Sequence, residues 1–252
     1  MTDQQLLEDL KRYCNEYDIP INRLIEIISD LKVIPMIRGK SFEFTVSDEL
    51  KNILPKDNWV IHNILTNAQT GTIERDLSII RSDFKKINVE CKLSKNNSFQ
   101  IVKDIGFFKV KCMRSRTVSD NEMAVRMAQN YGISNDLVLM HADNYRQQDF
   151  DFVIASLGNA FWVTKEGKYV FNGTETQHTF LNNIFPDTFK NFGNFQKEAF
   201  NFMIVAKSSE LIVHPNNNIN CSRKKCIKNG TGANCEFIPN YPIVGITDIA
   251  QN

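Results

Sequence analysis

Several common protein classes are excluded by what this chain lacks. None of its 252 residues belongs to an apolar run of about 18, so no membrane-crossing helix is expected. The first ten residues, MTDQQLLEDL, are acidic and polar and lack the basic, then apolar, order of a secretory leader. Six cysteines are too few for a disulfide framework at this length, and a reducing cytoplasm is the expected setting. There is no internal repeat, no low-complexity stretch, no glycine-rich phosphate loop and no nucleophile elbow. No nucleotide cradle and no Ser or Cys nucleophile is therefore assigned.

What is present suits a packed globular chain of one large domain, or one domain with an appendage. Hydrophobic residues make up 42% and charged residues 23%, and the 18 phenylalanines favour a core over disorder. The formal net charge is only +1, but it is unevenly spread. Between Arg81 and Arg116 ten basic residues face three acidic ones, a local +7 that leaves −6 for the rest. A basic cluster in a near-neutral chain points to a defined polyanion footprint, against the plainer reading of a solvated charged face.

Apolar spacing predicts a helix over 3–17, a second from Pro20 through Leu31, a break at Gly39, and a third helix from Ser41 to Leu54. Strands are predicted at 58–64, 77–80 and 87–93, the last two forming a hairpin after a turn at Gly71. Ser119 caps a helix that Gly132 ends. DLVLMH (136–141) and DFVIASL (151–157) read as buried strands, and 160–171 as a hairpin around Glu166-Gly167. Helical pieces near 178–185 and 194–203 precede a strand, ELIVHP, and the tail from 215 is loop-rich. The expected fold class is α/β (α+β): a mixed central sheet flanked by helices. Its parts are N-terminal helices (1–38), a core (39–141), a sheet extension with helices (142–213) and a tail (214–252).

The hairpin carries the chemistry. Side chains alternate along a strand, so Ile87, Val89, Cys91 and Leu93 share one side and Asn88, Glu90 and Lys92 the other. Pairing Leu77 with Val89 and Ile79 with Ile87 keeps the apolar rows together. That register sets Asp76 opposite Glu90, on an outward face, with Lys92 one step along. Opposed carboxylates repel by up to about 1 kcal/mol. A hard divalent cation converts the repulsion into coordination, and Mg²⁺ takes one or two carboxylates plus water and phosphate oxygens. An adjacent ammonium suits charge developing on a phosphate.

Asp76, a hairpin, then Glu90-Cys91-Lys92 resembles the PD-(D/E)XK nuclease superfamily, and the chain's size and basic segment resemble its type II restriction endonucleases. The resemblance implies a core of helix, three strands, helix and strand. It also implies Mg²⁺-dependent hydrolysis of phosphodiester bonds in double-stranded DNA, with Asp76 and Glu90 as metal ligands and Lys92 assisting the attacking water. Glu43 is the candidate for a further acidic residue on the preceding helix. Arg75 stands where the family often has proline. Cutting both strands of a symmetric site implies a homodimer. A repair or junction nuclease on the same core, and a non-catalytic DNA-binding protein, are the alternatives.

Context selects this triplet. The chain has six [DE]-x-K triplets, but those at Asp9, Asp30 and Glu49 fall on predicted helices and those at Asp83 and Glu166 in turns. Glu74 shares strand parity with Asp76 and competes with it. In the basic segment, Lys109, Lys111, Arg114 and Arg116, with Lys95, Asn96 and Asn97 just after the motif, are candidate DNA contacts. In the tail, His214, Cys221, Cys226 and Cys235 fall within 22 residues. Three thiols and an imidazole suit a tetrahedral structural Zn²⁺. His62, His141 and His178 are isolated and read as structural.

Overall fold

The computed structural model describes residues 2–63, 76–114, 121–211, 223–228 and 235–246. Glu74, Arg116, Ser119, His214, Cys221 and the Gly71 turn lie outside the described residues. Helices α1 (Asp3–Glu16) and α2 (Leu24–Ile28) lead to α3 (Ile34–Ile53). Strands β1 (Trp59–Asn63), β2 (Leu77–Arg81) and β3 (Lys86–Leu93) follow, then β4 (Gln100–Val102) and β5 (Ile105–Lys109). Helices α4 (Asn121–Tyr131) and α5 (Asn135–Met140) connect to β6 (Phe152–Ser156). The remaining elements are β7 (Trp162–Lys165), β8 (Lys168–Phe171), α6 (Glu175–Ile184), α7 (Phe195–Asn201), β9 (Met203–Lys207), α8 (Lys224–Lys228) and β10 (Ile243–Ile246).

The central sheet is mixed, in the order β1-β2-β3-β6-β9. Strands β1, β2 and β3 form an antiparallel meander, β6 joins β3 in parallel, and β9 closes the sheet antiparallel to β6. The hairpin register is the one the apolar rows require, with Leu77 opposite Val89 and Ile79 opposite Ile87. Strand alternation splits the core between the two faces. Ile154 joins Phe42, Val46, Leu77, Val89 and Cys91 beneath α3, while Val153 and Ala155 join the phenylalanine-rich cluster on the other side.

Three expectations are corrected. Gly39 does not break the chain but sits inside α3, which starts just before Pro35 in its first turn. The boundaries at 38/39 and 141 therefore cut through that helix and ahead of β6. DLVLMH is helical rather than extended: Ser134 caps α5 by accepting from the Leu137 N–H, and the short apolar run covers two neighbouring clusters. Of the expected strand ELIVHP, Glu210 and Leu211 instead close a 3₁₀ turn at Ser208–Leu211 and the rest lies outside the described residues; the strand just before it is β9. The tail also supplies β10, which pairs with β5.

Two glycines provide a test of this packing. A Cβ on Gly158 would lie 2.4 Å from the Phe200 Cα, against backbone that cannot move aside. Gly39 has nothing within 4 Å of the same position. Urea unfolding should show Gly158→Ala losing about 1–3 kcal/mol and Gly39→Ala gaining about 0.5–1 kcal/mol. Equal effects of the two would contradict the close approach of α7 to residue 158.

Candidate active site

Glu90 and Lys92 point away from α3, as strand parity requires, but not into solvent. Glu90 is 1% exposed and the Lys92 side chain 16%. The expected outward face is covered by the segment that follows α5, which lays Tyr145 across it. The Tyr145 hydroxyl donates to Glu90 Oε1 at 2.7 Å, and Lys92 Nζ reaches the same oxygen at 2.5 Å. The other carboxylate oxygen, Oε2, is buried with no hydrogen-bond partner.

Asp76 sits at the mouth of the hairpin. Its Oδ2 accepts from the Cys91 N–H at 2.7 Å, which fixes the carboxylate against β3 beside Glu90. Glu43, on the face of α3 turned toward β3, is half-buried and paired with Lys40. These groups sense each other. Burial first, and then the negative charge of Asp76, push the Glu90 carboxyl up to about 7 against the pull of Lys92. Burial and Asp76 likewise raise Glu43. Burial alone would lower Lys92, but Glu90, Tyr145 and Asp76 outweigh it and hold the ammonium well above its ordinary value. The surroundings thus favour the ammonium form of Lys92, a hydrogen-bond donor to Glu90 Oε1.

A cleft of about 570 Å³ opens beside this group, lined among others by Glu43, Lys92, Lys95, Asn96, Lys111 and Tyr241 but not by Asp76 or Glu90. The sequence-predicted contacts divide here. Lys111 is exposed at the rim, and Lys95 lies over the Tyr241 ring at 4.8 Å. The side-chain amide of Asn96 accepts from Asn159 at 2.5 Å. Asn97 is in the turn and takes a positive φ of 50°. Lys109 is exposed on β5. Arg114 is turned inward: its guanidinium meets Asp149 at 2.5 Å, Tyr131 at 3.1 Å and the Asn144 carbonyl at 2.9 Å. With 10% of its side chain exposed, it braces the fold while still lining the cleft.

No protein-family model matches the chain, and neither does any curated protein or solved structure. The site therefore has to be read from its own geometry.

In that geometry, Glu43, Asp76 and Glu90 do not form a closed cage. Among the described residues, the one set of three or more ligand side chains with donor atoms all within 4.8 Å of one another lies elsewhere: His141, Cys226 and Cys235. Sequence reasoning missed His141, which stands 85 residues before Cys226, and it missed Tyr145. Neither carries a local signal, because each is brought to its partners by the chain's return across the sheet.

The buried carboxyl makes a measurable prediction. In the folded chain Glu90 keeps its proton up to about 7, against an ordinary value of 4.5. Its contribution to stability is fully present below 4.5 and is lost as the pH rises through about 7. Carboxyl NMR of labelled glutamate in the metal-free protein should show one resonance titrating near 7. In Tyr145→Phe, which removes a donor to the ionised form, that midpoint should move higher. A Glu90 resonance titrating with the exposed glutamates would contradict the site.

Proposed function

We propose that this chain is a Mg²⁺-dependent endonuclease acting on double-stranded DNA, of the type II restriction class within the PD-(D/E)XK superfamily. The observation that carries the reading is the orphaned Glu90 Oε2, a buried carboxylate oxygen without a partner beside Asp76 and Lys92. A carboxyl in that state either keeps its proton or needs a further cation to stay ionised. The donor set is oxygen-only and anionic, which fits Mg²⁺ rather than a softer metal. The order α3, β1-β2-β3, α4-α5, β6 is compatible with the family's helix, three strands, helix, strand once the β4-β5 hairpin is taken as an insertion after β3.

Asp76 and Glu90 would hold the ion, and Glu43 would complete the site. Bound there, Mg²⁺ supplies Lewis-acid stabilisation of phosphate charge and acidifies a water. The chain's own residues do the remaining work. Lys92, held protonated, donates to the attacking water or to a phosphate oxygen and offsets charge there. Tyr145 keeps the Glu90 carboxylate in one orientation. The Cys91 N–H does the same for Asp76. Lys95, Asn96, Asn97, Lys109 and Lys111 are assigned to the DNA backbone, where each cation neutralises phosphate at a salt-dependent gain in affinity.

One such site per chain cuts one strand, so cleavage of both at a symmetric site takes two copies. Exposed apolar side chains of the N-terminal helices, including Leu6, Leu7, Tyr13 and Ile25, offer a surface of the right kind for pairing. Among the described residues no helix is long and apolar enough to cross a membrane.

Incubation with plasmid DNA and Mg²⁺ should give discrete fragments that disappear with EDTA. Lys92→Ala should lower cleavage by roughly 10²-fold or more while leaving the gel shift intact. Lys95→Ala and Lys111→Ala should weaken binding and flatten its salt dependence. Cutting of branched DNA alone would assign the core to repair chemistry. A gel shift without any cutting would leave a DNA-binding module and overturn the enzyme.

Because Glu90 must ionise to hold the metal, Mn²⁺ affinity measured by calorimetry should rise about tenfold from pH 6 to pH 8. A flat profile would remove Glu90 from the ligand set.

A further inference from the structure

We infer a second metal centre, a Zn²⁺ site at which His141, Cys226 and Cys235 supply three of the four tetrahedral ligands. The three come from separate stretches: the residue that ends α5, the middle of α8, and the start of the segment leading to β10. All are buried, at 2%, 0% and 3% exposure, and their donor atoms lie within 4.8 Å of one another. Zinc bonds of about 2.0–2.3 Å place tetrahedral donors ~3.5–3.8 Å apart, a side-chain rotation away from this envelope. Two thiolates and an imidazole are a soft set that selects zinc over Mg²⁺.

The surroundings are those of an oriented ligand. The Asn144 amide is fixed because its Nδ2 donates to the Ile238 carbonyl at 2.8 Å and to Asn240. Its Oδ1 therefore faces His141 Nδ1, at 3.3 Å, and also accepts from Arg223 Nε at 3.2 Å. That arrangement puts the proton on Nδ1 and the lone pair on Nε2, the tautomer of a ligating histidine held by a neighbouring group. Phe237 stacks on the imidazole at 4.4 Å and 11°. The centre ties the tail to the turn that carries Tyr145. The Ile238 N–H donates to the Tyr145 carbonyl at 2.8 Å, and Gln147 donates to the Glu236 carbonyl at 3.1 Å. Zinc there would hold in place the residue that orients Glu90, from the far side of the same loop.

The full chain, purified without chelator, should carry one zinc per chain by elemental analysis. Cys226→Ser and Cys235→Ser should each lose it. Phenanthroline should lower the thermal midpoint of the wild type, and added zinc, but not magnesium, should restore it. Should the serine variants fail to fold, cobalt exchanged into the wild type should show thiolate-to-cobalt charge-transfer bands. Zinc-free wild type, zinc retained by both serine variants, or a Cys226–Cys235 disulfide found by mass spectrometry would overturn the site. None of these readouts involves DNA, so the result stands apart from the nuclease reading.

Discussion

A carboxylate taken out of water is the constraint around which this structure is arranged. Glu90 lies at the centre of the sheet, on a strand covered on both faces. Leaving an ion there unpaired would cost several kcal/mol. Lys92 and Tyr145 compensate one oxygen, and the carboxyl still retains its proton to about 7. Perturbed carboxyls of this kind occur both at binding sites and in structural ion-pair networks. A core built only for stability would place an apolar side chain here, as β6 does with Val153 directly opposite Glu90.

Supporting that arrangement takes residues far along the chain. Tyr145 belongs to a turn pinned from three directions. Met113 bridges to Asn144 and the Arg114 N–H donates to the Asp143 carbonyl, which anchors the turn to the segment after β5. Arg146 bridges to Phe237, pairs with Glu236 and lies over Tyr131 at 4.6 Å. Asp149 accepts from Arg114, Tyr131 and the Arg146 N–H. Buried networks of this kind set one geometry because each member would be left unsatisfied if another moved. The tail, which composition marks as loop-rich, is thus part of the wall behind the site.

The basic segment illustrates the limits of charge counting. Its excess of ten cations over three anions is real, but the cations serve different ends. Lys92 neutralises Glu90 in the core, Arg114 neutralises Asp149, and Arg81 pairs with Asp83 in the hairpin turn. Lys95, Lys109 and Lys111 remain for the cleft and the surface beside it. A sum over sequence cannot separate these roles: Lys92 and Arg81 meet anions two residues away, whereas the anion of Arg114 lies 35 residues on, at Asp149.

Period-two alternation was enough, from the sequence alone, to place Leu77 against Val89, to set Glu90 and Lys92 on the face opposite Cys91, and to bring Asp76 beside them. These depend on neighbours in one hairpin, where pleat and register leave little choice. The same local logic captured α1, the α4 ending at Gly132, and the hairpin at Glu166-Gly167. It failed at Asp136–His141, where six residues are too few to separate a helix from a strand, and at Gly39, which twenty residues of helix carry without a break. That Glu90 is buried, that Tyr145 grips it, and that His141 joins Cys226 and Cys235 were decided only by tertiary structure. Each depends on a crossover from β3 to β6 or on the return of the tail, and contacts across such distances leave no periodic trace in the chain that makes them.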